Sequence, residues 1–307
     1  MMRVHFILNP KAGNGRGKKR WLQFDQQLSF PYELHETQYA GHAYLLARDI
    51  AKRATNELPN CIVVIGGDGT VHEVLNGAAN NENVYIGAIA AGSGNDFSRG
   101  YTAFANARQL KQFVSKLEAT THDYGIAQIN GKPKVFVNNF GVGFDAFVAH
   151  TANESQLKKK LNKWGIGKLC YPYFVVYALF TFKPFQLTVK HKKQQQHYQK
   201  VWFATVSNQP YFGGGMNLSP KSNTSDGKIE VTVVSNLSKW KLLFLFGSVF
   251  FAKHTHFKEV YQFETNEIHF LFSDQILAHA DGERQLLNEG ENHIVITVSE
   301  KVWKLAK

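Results

Sequence analysis

Five apolar residues, Cys61-Ile62-Val63-Val64-Ile65, run directly into Gly66-Gly67-Asp68-Gly69-Thr70 and then into the helix-like stretch Val71-His72-Glu73-Val74-Leu75. A buried strand, a glycine turn and a helix in that order commit this part of the chain to a parallel sheet with helices on its faces. Glycines let backbone N–H groups approach the oxygens of an anion, and the helix N-terminus adds partial positive charge. Asp68 changes the meaning of the loop, because a bare carboxylate repels phosphate. It makes sense with a magnesium ion or a ribose hydroxyl in between. A structural alternative stands beside this: Thr70 and Glu73 fit a Thr-x-x-Glu capping box, which is compatible with phosphate at the same helix end.

The pattern is repeated over the first 120 or so residues. Arg3–Asn9, Tyr32–Glu36, Cys61–Ile65 and Tyr85–Ile89 read as strands, with helices expected over Gly41–Thr55 and Ala105–Leu117. Ligands of such sheets lie at the carboxyl ends of the strands. Three glycine loops fall there: Pro10–Gly17, Gly66–Thr70 and Gly92-Ser93-Gly94-Asn95-Asp96. None has the spacing of a P-loop. Their coincidence at one sheet edge says more than any one of them.

After about Tyr124 the texture becomes β-rich. Strand-like runs cover Val135–Asn139, Phe185–Lys190, Tyr198–Ser207, Ile229–Val234, Glu267–Phe272 and Ile294–Ser299, several of them alternating apolar with polar residues. Leu169–Phe182 and Leu242–Ala252 are apolar but too short to span a bilayer, and are expected as helices on the β layer. Within the second of these, Phe244, Phe246, Phe250 and Phe251 read first as ordinary core and second as an acyl-chain pocket. Asp226-Gly227 and Asp281-Gly282-Glu283 read either as tight turns or as carboxylates available to chemistry.

Composition narrows the partners. A 307-residue chain with 44% apolar residues and a net charge of +11 can bury a large core and attract anions. No zinc-finger, helix-turn-helix or RNA-recognition pattern supports nucleic acid. Lys158, Lys159, Lys160, Lys163 and Lys168 surround Trp164, a mixture suited to an anionic membrane surface and equally to a solvated helix face. The thirteen histidines invite metal hypotheses, yet none has a convincing partner set along the chain, and His254-Thr255-His256 reads as surface or packing. Only Cys61 and Cys170 are present, which with the absence of a signal-peptide layout points to a cytoplasmic setting.

Asn9-Pro10, Gly66–Thr70, Gly92–Asp96, Gly213–Met216, Asp226-Gly227 and Asp281–Glu283 follow one another in the order seen in bacterial soluble diacylglycerol kinases and related lipid kinases, which the chain resembles over nearly its whole length. The resemblance implies an α/β nucleotide-binding domain over 1–124, a β-rich, β-sandwich-like domain over 125–289, a C-terminal segment 290–307 returning to the first domain, and an active site in the interdomain cleft. It implies that Asn9, Pro10, Lys11, Ala12, Gly13, Thr37, Gly66, Gly67, Asp68, Gly69, Thr70, Val71, His72, Glu73 and Ser93 bind ATP. Asp226 would organise Mg2+ with the carbonyls of Asn223 and Lys228 nearby, and Glu283 would receive the acceptor's proton, with Asp281 as rival or partner. The acceptor expected is a lipid alcohol, diacylglycerol first. A sphingoid base, phosphatidylglycerol, NAD or a catalytically silent binding role stand as alternatives, with peripheral contact to an anionic membrane and a homodimer as further expectations.

Overall fold

The computed structural model describes residues 2–155, 170–299 and 302–307. The lysine cluster around Trp164 lies outside the described residues. The chain divides into two compact units, one made of residues 1–124, Gly213–Gly215 and Ser299–Lys307, the other of Gly125–Phe212 and Met216–Val298.

In the first unit β1 (Arg3–Leu8), β2 (Glu33–Glu36), β3 (Asn60–Gly66) and β4 (Val84–Ala90) alternate with helices α1 (Ala12–Asp25), α2 (His42–Lys52) and α3 (Asp68–Ala78). The sheet order is β2-β1-β3-β4, all parallel, followed by the C-terminal strand Trp303–Ala306 parallel to β4 and then Ala119–His122 antiparallel to it. Every residue of β3 is buried, because helices cover both faces of such a sheet. That is why the strand reads as an unbroken apolar run rather than an alternation. The short helices α4 (Asp96–Gly100) and α5 (Ala107–Lys116) complete the layer. The C-terminal strand is held by Trp303, whose indole donates to Asp123 O at 3.2 Å. Residues 292–298 pair inside the second sheet, so the returning segment starts at Ser299, later than the expected 290.

The second unit is an antiparallel β assembly with a large core. Its longest strand, Gln194–Ser207, pairs with Phe185–His191 through its first part and with Asn139–Gly143 through its last, while Ile229–Ser235 lies along the other edge. Register shifts interrupt the ladder around Tyr198–Phe203, where the strand passes from its pairing with Phe185–His191 to that with Asn139–Gly143. The expected strand Val135–Asn139 is in fact two, Lys132–Phe136 and Asn139–Gly143, broken where the backbone turns its N–H groups to another partner.

Both apolar runs form helices, Cys170–Thr181 and Lys239–Val249, and neither is long and apolar enough to cross a membrane; the same holds for every helix among the described residues. The phenylalanines of the second depart from the core expectation. Phe246 packs against Phe144 with ring centroids 5.4 Å apart, but Phe244, Phe250 and Phe251 are exposed. Trp240 and, on the other helix, Tyr173, Tyr177 and Phe180 join them at the surface, Phe180 meeting Trp240 edge-on and lying beneath the Lys239 ammonium at 5.2 Å. This is a large apolar patch for a water-facing surface.

Candidate functional site

Three loops leave the carboxyl ends of β1, β3 and β4 and are fastened to one another by contacts that permit little substitution. Asn9 donates from Nδ2 to Thr70 Oγ1 at 3.1 Å, and its Oδ1 accepts the Lys11 N–H at 3.1 Å. The loop after β1 thereby grips the first turn of α3. A Cβ on Gly92 would lie 2.5 Å from Gly67 Cα, so the loops after β3 and β4 touch backbone to backbone. Ala91 N donates to Gly66 O at 2.8 Å beside that contact. Gly13, Asn14 and Gly15 all have left-handed φ values of 55°, 59° and 89°, which interrupts the start of α1 and delays its regular turns to Arg16. Successive N–H groups in such a conformation form an anion-binding concavity. Thr37 joins the same edge, its N–H donating to Leu8 O at 2.9 Å.

The capping box is not formed. The N-cap of α3 is Gly67, and no side chain caps the helix. Glu73 instead turns to the neighbouring helix, accepting the N–H groups of Gly41 at 2.8 Å and Ala43 at 3.1 Å, so it closes the N-terminus of α2. No capping side chain occupies the N-terminus of α3, which leaves its first N–H groups for a phosphate, although Asp68 in the first turn already sets a carboxylate at this end of the dipole.

Asp68 has a structural role. Its Oδ1 accepts the Phe97 N–H at 2.9 Å and so ties the first turn of α4 to the loop after β3. Asp96, nearly buried, accepts the Gly214 N–H at 2.7 Å and faces Arg99 Nη1 at 3.3 Å. Burial raises its carboxyl above the ordinary aspartate value, against the opposing pull of the Gly214 N–H and the Arg99 charge. Gly213, Gly214 and Gly215 each have positive φ, which brings this triple-glycine turn onto Asp96 and Arg99. Asp96 and Arg99 were absent from the expected site residues; only their neighbourhood of glycines hinted at them. Ser93 is exposed at the tip of the loop after β4, and His72 lies on α3 against Asn76, one turn on.

In the second unit Asp281 and Gly282 form the two-residue turn of a hairpin between Ala278–Ala280 and Glu283–Gln285, with φ of 49° and 85°. These are the values of a type I′ turn, for which Asp-Gly is a preferred pair. The Asp281 carboxylate is buried and fully engaged. Oδ2 accepts Val137 N–H at 3.0 Å, and Oδ1 accepts Asn138 N–H at 2.8 Å and Asn139 N–H at 3.0 Å. These are the N–H groups freed where the expected strand 135–139 breaks. Glu283 differs: it is exposed, and its carboxylate makes no hydrogen bond or ion pair among the described residues.

Beneath the turn is a buried pair. His279 Nε2 lies 3.2 Å from Asp145 Oδ2, which also accepts Thr205 Oγ1–H at 2.9 Å. His279 Nδ1 faces the Gly282 N–H at 3.3 Å, so Nδ1 is the acceptor and Nε2–H donates to Asp145. The Phe212 ring stacks on the imidazole at 2°. Gly141 must be glycine here, since a Cβ would come within 2.2 Å of Asp145 Oδ2 and 2.6 Å of His279 Nε2. Neither Asp145 nor His279 was anticipated, and 134 residues separate them in the chain.

Asn223–Lys228 is a tight, exposed turn. Asp226 Oδ1 accepts the Lys228 N–H at 3.0 Å, Asn223 Oδ1 accepts from Ser225, and Lys228 pairs with Glu264 at 3.1 Å. Behind it Glu230 is buried and accepts Lys221 N–H at 3.2 Å; burial raises its carboxyl above the usual glutamate value. The structure thus places the residues expected to bind ATP together in the first unit. The residues expected to hold metal and proton form two separate turns of the second.

Known families match the chain in two parts. The diacylglycerol kinase catalytic domain model matches residues 3–129, and that of the YegS C-terminal NAD kinase beta sandwich-like domain matches 138–291. The Bacillus subtilis protein named "Putative lipid kinase YtlR" is 34% identical over 285 residues, 91% of this chain and 92% of that one. A diacylglycerol kinase of the same organism is 26% identical over 95% of this chain and 93% of its own. Among solved structures, a diacylglycerol kinase from Bacillus anthracis superposes with a TM-score of 0.70 at 21% identity over 99% of this chain and 96% of that one. An NAD kinase from Archaeoglobus fulgidus, in complex with ATP, shares the fold at a TM-score of 0.55 and 13% identity, covering 100% of this chain and 94% of its own. With its α/β unit matched to the kinase catalytic domain and its β-rich unit to the sandwich-like partner, the chain belongs to the bacterial lipid kinase family that includes the soluble diacylglycerol kinases.

Proposed function

We propose that the protein transfers the γ-phosphoryl group of ATP to the hydroxyl of a neutral lipid, diacylglycerol first, in a magnesium-dependent reaction. The observation that carries this reading is the mutual fastening of the three glycine loops through Asn9–Thr70 and Gly67–Gly92, beside a helix N-terminus that no side chain caps. Asn9, Pro10, Lys11, Ala12 and Gly13, with Thr37, Gly66 to Glu73 and Ser93, surround the nucleotide. Asn9 and Glu73 act by fixing the loops, and Asp68 by holding α4 while presenting negative charge to a metal-bound phosphate.

The hard oxygen donors at Asp226 and the carbonyls of Asn223 and Lys228 suit magnesium, which neutralises developing charge on the phosphates when bound. Glu283 is the base. Its carboxylate is exposed and uncommitted, whereas Asp281 would have to release backbone donors to accept a proton. Asp281, with His279 and Asp145 below it, positions the turn that presents Glu283.

A two-chain lipid alcohol stays in its bilayer, so the kinase must dock there. The exposed aromatic patch of Trp240, Phe244, Phe250, Phe251 and Phe180, with Lys239 over it, supports a docking role for this surface. The test is transfer of labelled phosphate from ATP in magnesium buffer to vesicles containing diacylglycerol, with NAD offered in parallel. Labelled phosphatidic acid is the expected product. Label on NAD instead would replace the lipid acceptor, and no ATP consumption with any acceptor would favour a silent binding role.

A further inference from the structure

On the outer edge of the first sheet, away from the glycine loops along β1 and β2, three donors converge. Strand pairing sets His5 opposite Glu33, and His35, two residues further along β2, returns to the same face. His5 Nδ1 lies 3.4 Å from Glu33 Oε2 and 3.4 Å from His35 Nε2, and His35 Nε2 lies 3.7 Å from the same Glu33 oxygen. Imidazole nitrogen and carboxylate oxygen sit about 2.0–2.2 Å from a tetrahedral zinc ion, which separates neighbouring ligand atoms by about 3.4 Å. The triangle therefore already has the dimensions of a tetrahedral face.

The His5 ring is almost wholly buried, and neither its Nε2 nor Asn60 Oδ1 has a hydrogen-bond partner among the described residues. The Asn60 amide is itself fixed, Nδ2 donating to Ile50 O at 2.8 Å. Glu33 and His35 are open to solvent, which provides access for an ion and a water.

We propose that His5, Glu33 and His35 bind one divalent transition-metal ion of the zinc class, with water as the fourth ligand, clasping the edge strand β2 to β1. Two imidazoles and one carboxylate select this class over magnesium or calcium, which take oxygen cages. The ion is a structural clasp, separate from the magnesium of the phosphoryl transfer and independent of the kinase reading. Because the site exists only when β1 and β2 are paired, the ion stabilises the folded chain by linkage.

The full chain, stripped with chelator, is dialysed against Zn2+ and melted with Zn2+ or Mg2+, beside Glu33→Gln, His35→Ala and, as a control, His269→Ala. His269 belongs to an exposed pair with His293, 2.9 Å apart, and must not contribute. The wild type and His269→Ala should retain one equivalent of zinc and melt higher with Zn2+ but not with Mg2+. Glu33→Gln and His35→Ala should lose more than about 100-fold in affinity, since even outer partners of such ligands are worth about 10–100-fold. Glu33 is 56% exposed and His35 25% exposed on the edge strand, so melts of both variants without metal check that the fold survives each change. Zinc retained equally by these two variants, no zinc retained by the wild type, or an equal shift with Mg2+ would each overturn the proposal.

Discussion

Replacing Asp281 by asparagine should destabilise the second unit, whereas replacing Glu283 by glutamine should leave its stability intact and stop turnover. Asparagine tolerates the left-handed φ of 49° at this position, so the turn itself survives the change. What changes is the acceptor set. One oxygen still serves Asn138 and Asn139, but the new amide group points a donor at the Val137 N–H. A hydrogen bond to a charged acceptor is worth about 1.5–3 kcal/mol, and a buried donor left unsatisfied costs about 1–3 kcal/mol more. The sum, about 2.5–6 kcal/mol, corresponds to a fall in Tm on the order of 10 °C for a unit of this size. Glu283 is exposed and without such partners, so its variant should melt within about 0.5 kcal/mol of the wild type. Its turnover should fall about 10²–10⁴-fold with ATP affinity unchanged, as expected of a lost general base. Thermal melts paired with a phosphate-transfer assay below both transitions separate the two effects. An Asp281→Asn variant that melts with the wild type would refute the three-donor anchor, and a fully active Glu283→Gln would move the base elsewhere.

Asp68→Asn keeps an oxygen for the Phe97 N–H and removes only the charge, so near-native melting with activity down more than about 100-fold is expected; full activity would end the metal-phosphate reading of this loop. Gly92→Ala sets a Cβ 2.5 Å from Gly67 Cα, so the loops must part by about 1 Å, at about 1–3 kcal/mol in stability and about 100-fold in rate. Unchanged ATP affinity by calorimetry together with unchanged turnover would contradict it. Asp96 has a raised carboxyl pKa, so the folded chain holds that proton more tightly than the unfolded one; its contribution to stability is greatest in acid and is lost as pH rises through the raised value. Asp96→Asn should therefore flatten Tm against pH in the mildly acidic range, and an unaltered profile would assign the titration to another group. Serine at both Trp240 and Phe244 removes two exposed aromatics, each worth about 1.5–3 kcal/mol when buried, and should weaken vesicle sedimentation by at least about tenfold. Undiminished sedimentation would place docking elsewhere.

What could be read from the chain and what could not divide along physical lines. The strand, glycine loop and helix units were readable because each is contiguous and buried on both faces, as at Cys61–Ile65. Side-chain assignments that depend on a neighbouring element were not. Glu73 sits at the spacing of a capping box for its own helix, yet the adjacent α2 takes its carboxylate. His5, Glu33 and His35 become a donor set only through the register of β1 on β2. Ala278–Ala280 and Glu283–Gln285 are three residues each, too short to show a period of two, so the hairpin under Asp281 had no signal beyond its Asp-Gly turn. Asp145 had none at all, since only the fold brings it to His279. The exposed phenylalanines misled for a different reason. Apolar residues at helical spacing ordinarily mark a buried face, and this helix buries Leu242, Leu245 and Val249 while presenting Phe244, Phe250 and Phe251 outward.

The central claim is phosphoryl transfer from ATP to a lipid hydroxyl by Glu283 and the three fastened loops. Its most direct test incubates the wild type and Glu283→Gln with γ-labelled ATP, Mg2+ and a total lipid extract, and identifies every labelled product. The account predicts label in an organic-soluble phospholipid, phosphatidic acid first, from the wild type alone and only with Mg2+. Label confined to a water-soluble acceptor, or equal labelling by both proteins, would contradict it.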